Sequence, residues 1–85
     1  MATDLLAEKI KDAPLRLIAA RIKRARREAE LTLDALAAPA GTSRHHLIRL
    51  EKGQHRPRGD MLARIAVVTG KPLSYFLNGD VESAA

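Results

Sequence analysis

Arg44, His45, His46 and Arg49 crowd one short stretch between Ser43 and Gly53, and Gln54, His55, Arg56 and Arg58 follow it directly. A guanidinium is a rigid fork of N–H donors, able to make a two-pronged bond to O6 and N7 of a guanine or to grip a phosphate, whereas a lysine cannot fork. The histidines raise acid–base and metal chemistry instead. His45 and His46 are adjacent, and on a helix they would point about 100° apart. Without Cys or a suitably spaced acid, they and His55 make an incomplete ligand set, so no metal is expected. No paired carboxylates, nucleophile with a base, or glycine-rich phosphate loop accompanies them, so neither an enzyme nor a cofactor is expected. Recognition of a ligand by charge and hydrogen bonds remains.

The charge is concentrated accordingly. The net charge is +5, but residues 16–58 hold 11 Lys/Arg against 4 Asp/Glu, a net of +7, while each flank sums to −1. Positive charge gathered in one part of a chain favours a polyanionic partner, and nucleic acid is the obvious one. The first turn of the stretch adds a local argument. Cations there oppose the helix dipole, so Arg44 and any protonated His45 or His46 weaken the helix they sit on. A groove bounded by phosphates would supply the compensation.

The elements that must hold these side chains are helical. Eighty-five residues suit a single domain with little interior for an enclosed active site. Apolar residues make up 46% of the chain but aromatics only 2%, leaving Leu, Ile, Val and Ala to build the core, a palette for packed helices. There is no cysteine, hence no disulfide framework, in keeping with a reducing cytoplasm. No apolar run approaches the ~18 residues of a membrane span. Asp4, Glu8, Lys9, Lys11 and Asp12 rule out a signal-peptide core near the start.

Punctuation at Pro14, Pro39 to Gly41, Gly53, Pro57 to Gly59, Gly70 to Pro72 and Gly79 cuts the chain into short helices. Leu15, Ile18, Ile22, Ala25 and Ala29 step by three and four along the first, with Arg16, Arg21, Lys23, Arg24 and Arg27 mostly off the stripe. Thr32 caps a second helix with Leu33, Leu36, Ala37 and Ala40 on one face, which Pro39 and Gly41 should end early. Ser43 caps a third with Leu47 and Leu50 inward and Gly53 as its stop; a fourth covers 60–69 and a fifth 73–77. Residues 1–14 read as an N-terminal extension, with a further helix over 3–11 left open, residues 15–78 as the domain, and 79–85 as a frayed tail.

From Thr32 to Gly53 the chain reads T-L-D-A-L-A-A-P-A-G-T-S-R-H-H-L-I-R-L-E-K-G: helix, tight turn, cap, helix. With R-P-R after it and L-A-R-I-A and G-K-P-L-S-Y-F-L beyond, this stretch resembles the Cro/lambda-repressor-like helix-turn-helix family, also called the xenobiotic response element family. The resemblance covers about residues 15–77. It implies an all-α, compact five-helix lambda-repressor-like domain that binds double-stranded DNA, with the third helix, about 44–51, in the major groove. The base-reading positions fall on Arg44, His45 and Arg49, with Ile48 either touching a thymine methyl or packing inward. Contacts to the DNA backbone or minor groove fall on Thr32, Ser43, His46, Gln54, Arg56 and Arg58. Arg26 and Glu51 occupy places that form an internal ion pair in the family.

The chain also departs from the family pattern. Leu33 stands where a phosphate-clamping glutamine is usual, Pro39 replaces an ordinary helix former, and Thr42, Gly59 and Thr69 replace apolar residues.

The leading expectation is a transcription regulator, a repressor of Cro type that binds a palindromic operator as a homodimer in the cytoplasm of a bacterium or in its phage. One short helix reads only ~4 base pairs, and pairing two half-sites ~34 Å apart supplies the missing specificity. Val67, Val68, Tyr75 and Phe76 are the candidate dimer interface. The alternative is an antitoxin that represses its own operon and holds a protein partner through residues 1–13, where Leu5, Leu6 and Ile10 share a side.

Overall fold

The computed structural model describes residues 8–78, and every regular element among them is helical. Helix α1 covers residues 8–12. After it come α2 (Leu15–Glu28), α3 (Leu33–Ala40), α4 (Arg44–Glu51), α5 (Gly59–Thr69) and α6 (Leu73–Leu77). The five helices expected from Leu15 onward are therefore α2 to α6. Leu5, Leu6 and the tail expected at 79–85 lie outside the described residues.

Helix α2 starts after Pro14, whose φ of −59° leads into helical geometry. Its stripe buries Ile18, Ile22 and Ala25 completely. The helix closes through the Leu31 amide to the Arg26 carbonyl at 3.0 Å and the Glu30 amide to the Arg27 carbonyl at 3.0 Å. That closure needs a left-handed residue, and Glu30 takes the position at φ 58°, where a side chain costs more than glycine would. Helix α3 starts on Thr32, whose hydroxyl accepts from the Ala35 amide at 3.1 Å. Contrary to expectation, Pro39 does not shorten it: the helix runs on to Ala40. Proline removes the bond that would reach the Ala35 carbonyl and its ring crowds that oxygen, but Ala35 is exposed, so water can take the acceptor. Gly41, at φ 74°, then makes the turn, with the Thr42 amide on the Ala37 carbonyl at 3.0 Å.

Helix α2 packs against α4, α5 and α6, while α3 packs against α4 and α5. Their shared core includes Leu36, Leu47, Leu50, Leu62, Ile65 and Phe76, all fully buried. Ala37 is nearly buried, small enough to let α3 and α4 approach. Thr69, a polar residue in an apolar place, is tolerated because its hydroxyl donates to the Ile65 carbonyl at 2.7 Å, one helical turn back.

Three expectations need correction. Arg21 belongs inside rather than off the stripe: it is 2% exposed, and its guanidinium donates to the carbonyls of Tyr75 and Asn78. Those carbonyls lie in the last turn of α6 and at its C-cap, where a helix runs short of donors of its own, and they give the buried cation backbone acceptors. Tyr75 and Phe76 cannot form a dimer face, because Phe76 is fully buried and Tyr75 nearly so. Their rings meet edge to face at 5.2 Å, with the Arg21 guanidinium 4.9 Å from the Tyr75 ring centre, so they serve the core instead. Of the four proposed interface residues, Val67 is 81% exposed and Val68 half-buried. Ile10, finally, is not on a free face for a partner: it and Ala13 are buried in the common core.

Candidate nucleic-acid interface

The third helix of the sequence reading is α4, two turns long. Ser43 starts it, with its hydroxyl accepting from the His46 amide at 3.0 Å. Gly53, at φ 74°, stops it, and the Gln54 amide closes on the Arg49 carbonyl at 3.0 Å. Leu47 and Leu50 are fully buried, so the helix is seated from one side and its rotation is fixed. Arg44, His45 and Arg49 are left exposed on the other side, while His46 and Ile48 are half-buried.

Arg44 lies 3.9 Å from the Asp34 carboxylate, both side chains being largely in water. A contact that long and that wet holds the guanidinium only weakly and leaves it free to turn toward a ligand. The His46 ring lies 5.8 Å from that of His55, so the loop after α4 folds back beside the first turn of that helix. Among the described residues no three His, Cys, Asp or Glu side chains gather as a metal site.

The Thr32 and Ser43 hydroxyls each accept an amide of their own helix, which leaves the hydroxyl hydrogen to donate to a phosphate oxygen. Gln54 and Arg58 are exposed on the following loop, Arg58 at 3.7 Å from Asp60. Arg56 is engaged differently from expectation. Its Nη1 donates to the carbonyls of Ile10 and Ala13, at 2.6 Å each, so this side chain ties the end of α1 to the loop after α4. The carbonyls at that helix end need donors, and a cation there is favoured by the dipole.

Arg26 and Glu51 form a two-pronged ion pair, Nε to Oε2 at 2.7 Å and Nη2 to Oε1 at 3.1 Å, with Glu51 6% and Arg26 13% exposed in the side chain. A third bond from Arg26 reaches the Leu31 carbonyl at 3.0 Å. The hydrogen-bonded carboxylate holds the Arg26 guanidinium above its already high ordinary pKa. One residue thereby ties α2 to both α4 and the turn before α3. Sequence reasoning missed the groove beside this pair, where Lys23, Arg27 and Lys52 line the same wall as Leu33 and Ile48. Lys52 was findable from its position three residues beyond Arg49, but the approach of α2 that brings Lys23 and Arg27 beside it is a tertiary fact.

A helix pair joined by a glycine turn, with its second helix seated by two leucines and bearing exposed cations, defines a helix-turn-helix module. The chain belongs to the helix-turn-helix domain family, whose model matches residues 17–73, in keeping with the Cro/lambda-repressor-like resemblance of its motif. The domain is that of a DNA-binding regulator, and members of the family are typically not enzymes. Compared with curated proteins, the chain matches none. Among the described residues no helix is long and apolar enough to cross a membrane.

Proposed function

We propose that the protein is a sequence-specific regulator of transcription, a repressor of Cro type, that places α4 in the major groove of a palindromic operator and acts as a homodimer in the cytoplasm. The observation that carries this reading is the division of α4: Leu47 and Leu50 are fully buried while Arg44, His45 and Arg49 face solvent. A helix held this firmly presents its cations in one orientation, which base recognition requires and a merely solvated surface does not.

In this reading Arg44, His45 and Arg49 meet base edges, and the half-buried Ile48 beside them touches a thymine methyl. Thr32, Ser43, His46, Gln54 and Arg58 hold the backbone, and Arg56 steadies the loop that carries Arg58. The binding unit is residues 15–78 with α1 packed on it. Val67 and Val68 supply the dimer contact, since Val67 is a large apolar side chain left in water. The antitoxin alternative draws on residues 1–13, and the burial of Ile10 removes one of its three contact residues.

Selection of bound duplexes from a random pool tests the reading. A palindromic consensus with half-sites about one helical turn apart, ~34 Å, is the expected result. Recovery of no consensus would overturn it, and a single unpaired half-site would leave sequence reading in place while removing the homodimer.

A further inference from the structure

We infer that the groove between α2 and the end of α4, lined by Lys23, Arg27 and Lys52, is a second seat for the DNA backbone, binding phosphate on the α2 side of the reading helix. The inference deepens the DNA-binding reading above and rests on it. It starts from which cations are already engaged. Arg21 is buried against backbone carbonyls, Arg24 and Lys71 bond to Glu28, Arg26 bonds to Glu51, and Arg56 bonds to the carbonyls of α1. Lys23, Arg27 and Lys52 are exposed instead, and all three line one groove. Among the described residues the single carboxylate there is Glu51, and both of its oxygens accept from Arg26. The groove thus holds four cations against one acid.

Such a cluster repels itself and costs stability unless an anion enters it. Lys23 and Arg27 are one helical turn apart on α2, and Lys52 follows Ile48 and Arg49 by four and three residues, on the continuation of the reading face. A helix about 10–12 Å across in a major groove about 12 Å wide has a phosphate strand along each flank, within reach of long side chains. The exposed loop residues Gln54 and Arg58 serve the strand past the end of α4, and this groove serves the strand along its α2 side. Leu33 and Ile48 are the apolar part of its lining, along which the lysine stems can lie with their ammonium groups outward.

The test measures binding of the selected operator duplex across a salt series for three forms of the full chain. These are the wild type, the triple variant Lys23→Gln, Arg27→Gln and Lys52→Gln, and a control with Lys9→Gln and Arg16→Gln, exposed cations that do not line the groove. The triple variant should keep the base consensus and melt no lower than the wild type, since the repulsion within the cluster is gone, while its slope of log K against log salt becomes shallower by about 2 to 3 units, at roughly 0.9 per phosphate released. Each single substitution should account for about one unit. The control should keep the wild-type slope. A triple variant that binds the duplex with the wild-type slope would overturn the groove alone and leave DNA reading intact. A slope lowered equally in the control would also overturn it, as an effect of total charge. A wild type that binds no duplex even at low salt would overturn both.

Discussion

The cations of this chain do two kinds of work, and the two kinds lie on different sides of α2. Toward α6, Arg21 is sealed beneath Tyr75, and Lys71 and Arg24 share Glu28 at 2.5 and 3.1 Å. Toward α4, Arg44, Arg49, Lys52, Lys23 and Arg27 reach into water, with Arg44 at 3.9 Å from Asp34. Arg26 stands between the two sides, bonded to Glu51 yet lining the cationic groove. Net charge alone does not separate these populations. The difference between them is whether an acceptor of the protein itself already satisfies the guanidinium or ammonium, and that decides whether the residue contributes to folding or to affinity.

The comparison breaks most visibly on the buried side. Arg21→Met keeps much of the side-chain length but removes every donor, leaving the carbonyls of Tyr75 and Asn78 without that partner. A buried acceptor left without its donor costs about 1–3 kcal/mol, so with two carbonyls released the expected loss is about 3 kcal/mol. Chemical denaturation measures it, and the folded fraction of the variant should retain the wild-type base consensus. Loss of the consensus with unchanged stability would place Arg21 in the wrong population. Arg26→Ala strands Glu51 as an almost fully buried carboxylate and should cost about 3 kcal/mol. A melting temperature close to wild type would show that the pair at 2.7 Å is not holding α2 to α4.

The next effect is on binding. Arg49→Ala should leave stability unchanged and cost about 1–3 kcal/mol on the selected site, but much less on a site already changed at the base pair that it reads. Arg56→Ala should do the reverse. It frees the carbonyls of Ile10 and Ala13, lowers the melting temperature, and weakens both sites by a similar factor. Were Arg56 also to grip a phosphate, its loss would make the salt slope shallower by about one unit. Competition binding on the two sites together with thermal melts separates the outcomes, and identical profiles for the two variants would erase the distinction between reading and holding.

Much of the reading side was legible because local rules set it. Ser43 and Thr32 are capping residues at the positions where caps are needed, Gly41 and Gly53 supply the left-handed turns, and Leu47 and Leu50 mark the inward face. Pairing Arg26 with Glu51 required the resemblance, because 25 residues separate them and no periodicity relates them. Arg21 was misread for a related reason. It lies between Ile18 and Ile22 near the edge of the apolar stripe, and only the position of the α6 carbonyls turns that edge into an interior site. Tyr75 and Phe76 were misassigned because large apolar residues near a chain end fit a dimer face or a core equally well in sequence. Arg56 looked like its neighbour Arg58 until α1 brought two carbonyls to it.

The smallest expected effect is a pH dependence on the paired side. Hydrogen bonds from Lys71 and then Arg24 hold the Glu28 carboxyl below the usual carboxylate range. A carboxyl whose pKa is lower in the folded state binds its proton more readily in the unfolded chain. Its contribution is therefore present at neutral pH and is lost as the pH falls through the folded-state value. The three side chains are exposed or only half-covered by their neighbours, so water and salt screen the pair and the contribution is small. Comparing wild type with Glu28→Gln by thermal melting, the wild type should be the more stable at pH 7 and the difference should close as the solution is acidified below the carboxylate range. Added salt at pH 7 should narrow it in the same direction. Because Glu28 engages Arg24 and Lys71 rather than the cations beside α4, the variant should bind the operator with an unchanged salt slope. A slope that steepened in Glu28→Gln would mean that Lys71, released from Glu28, can reach a phosphate, and that the boundary between the two populations is set by competition for Glu28 rather than by position on α2.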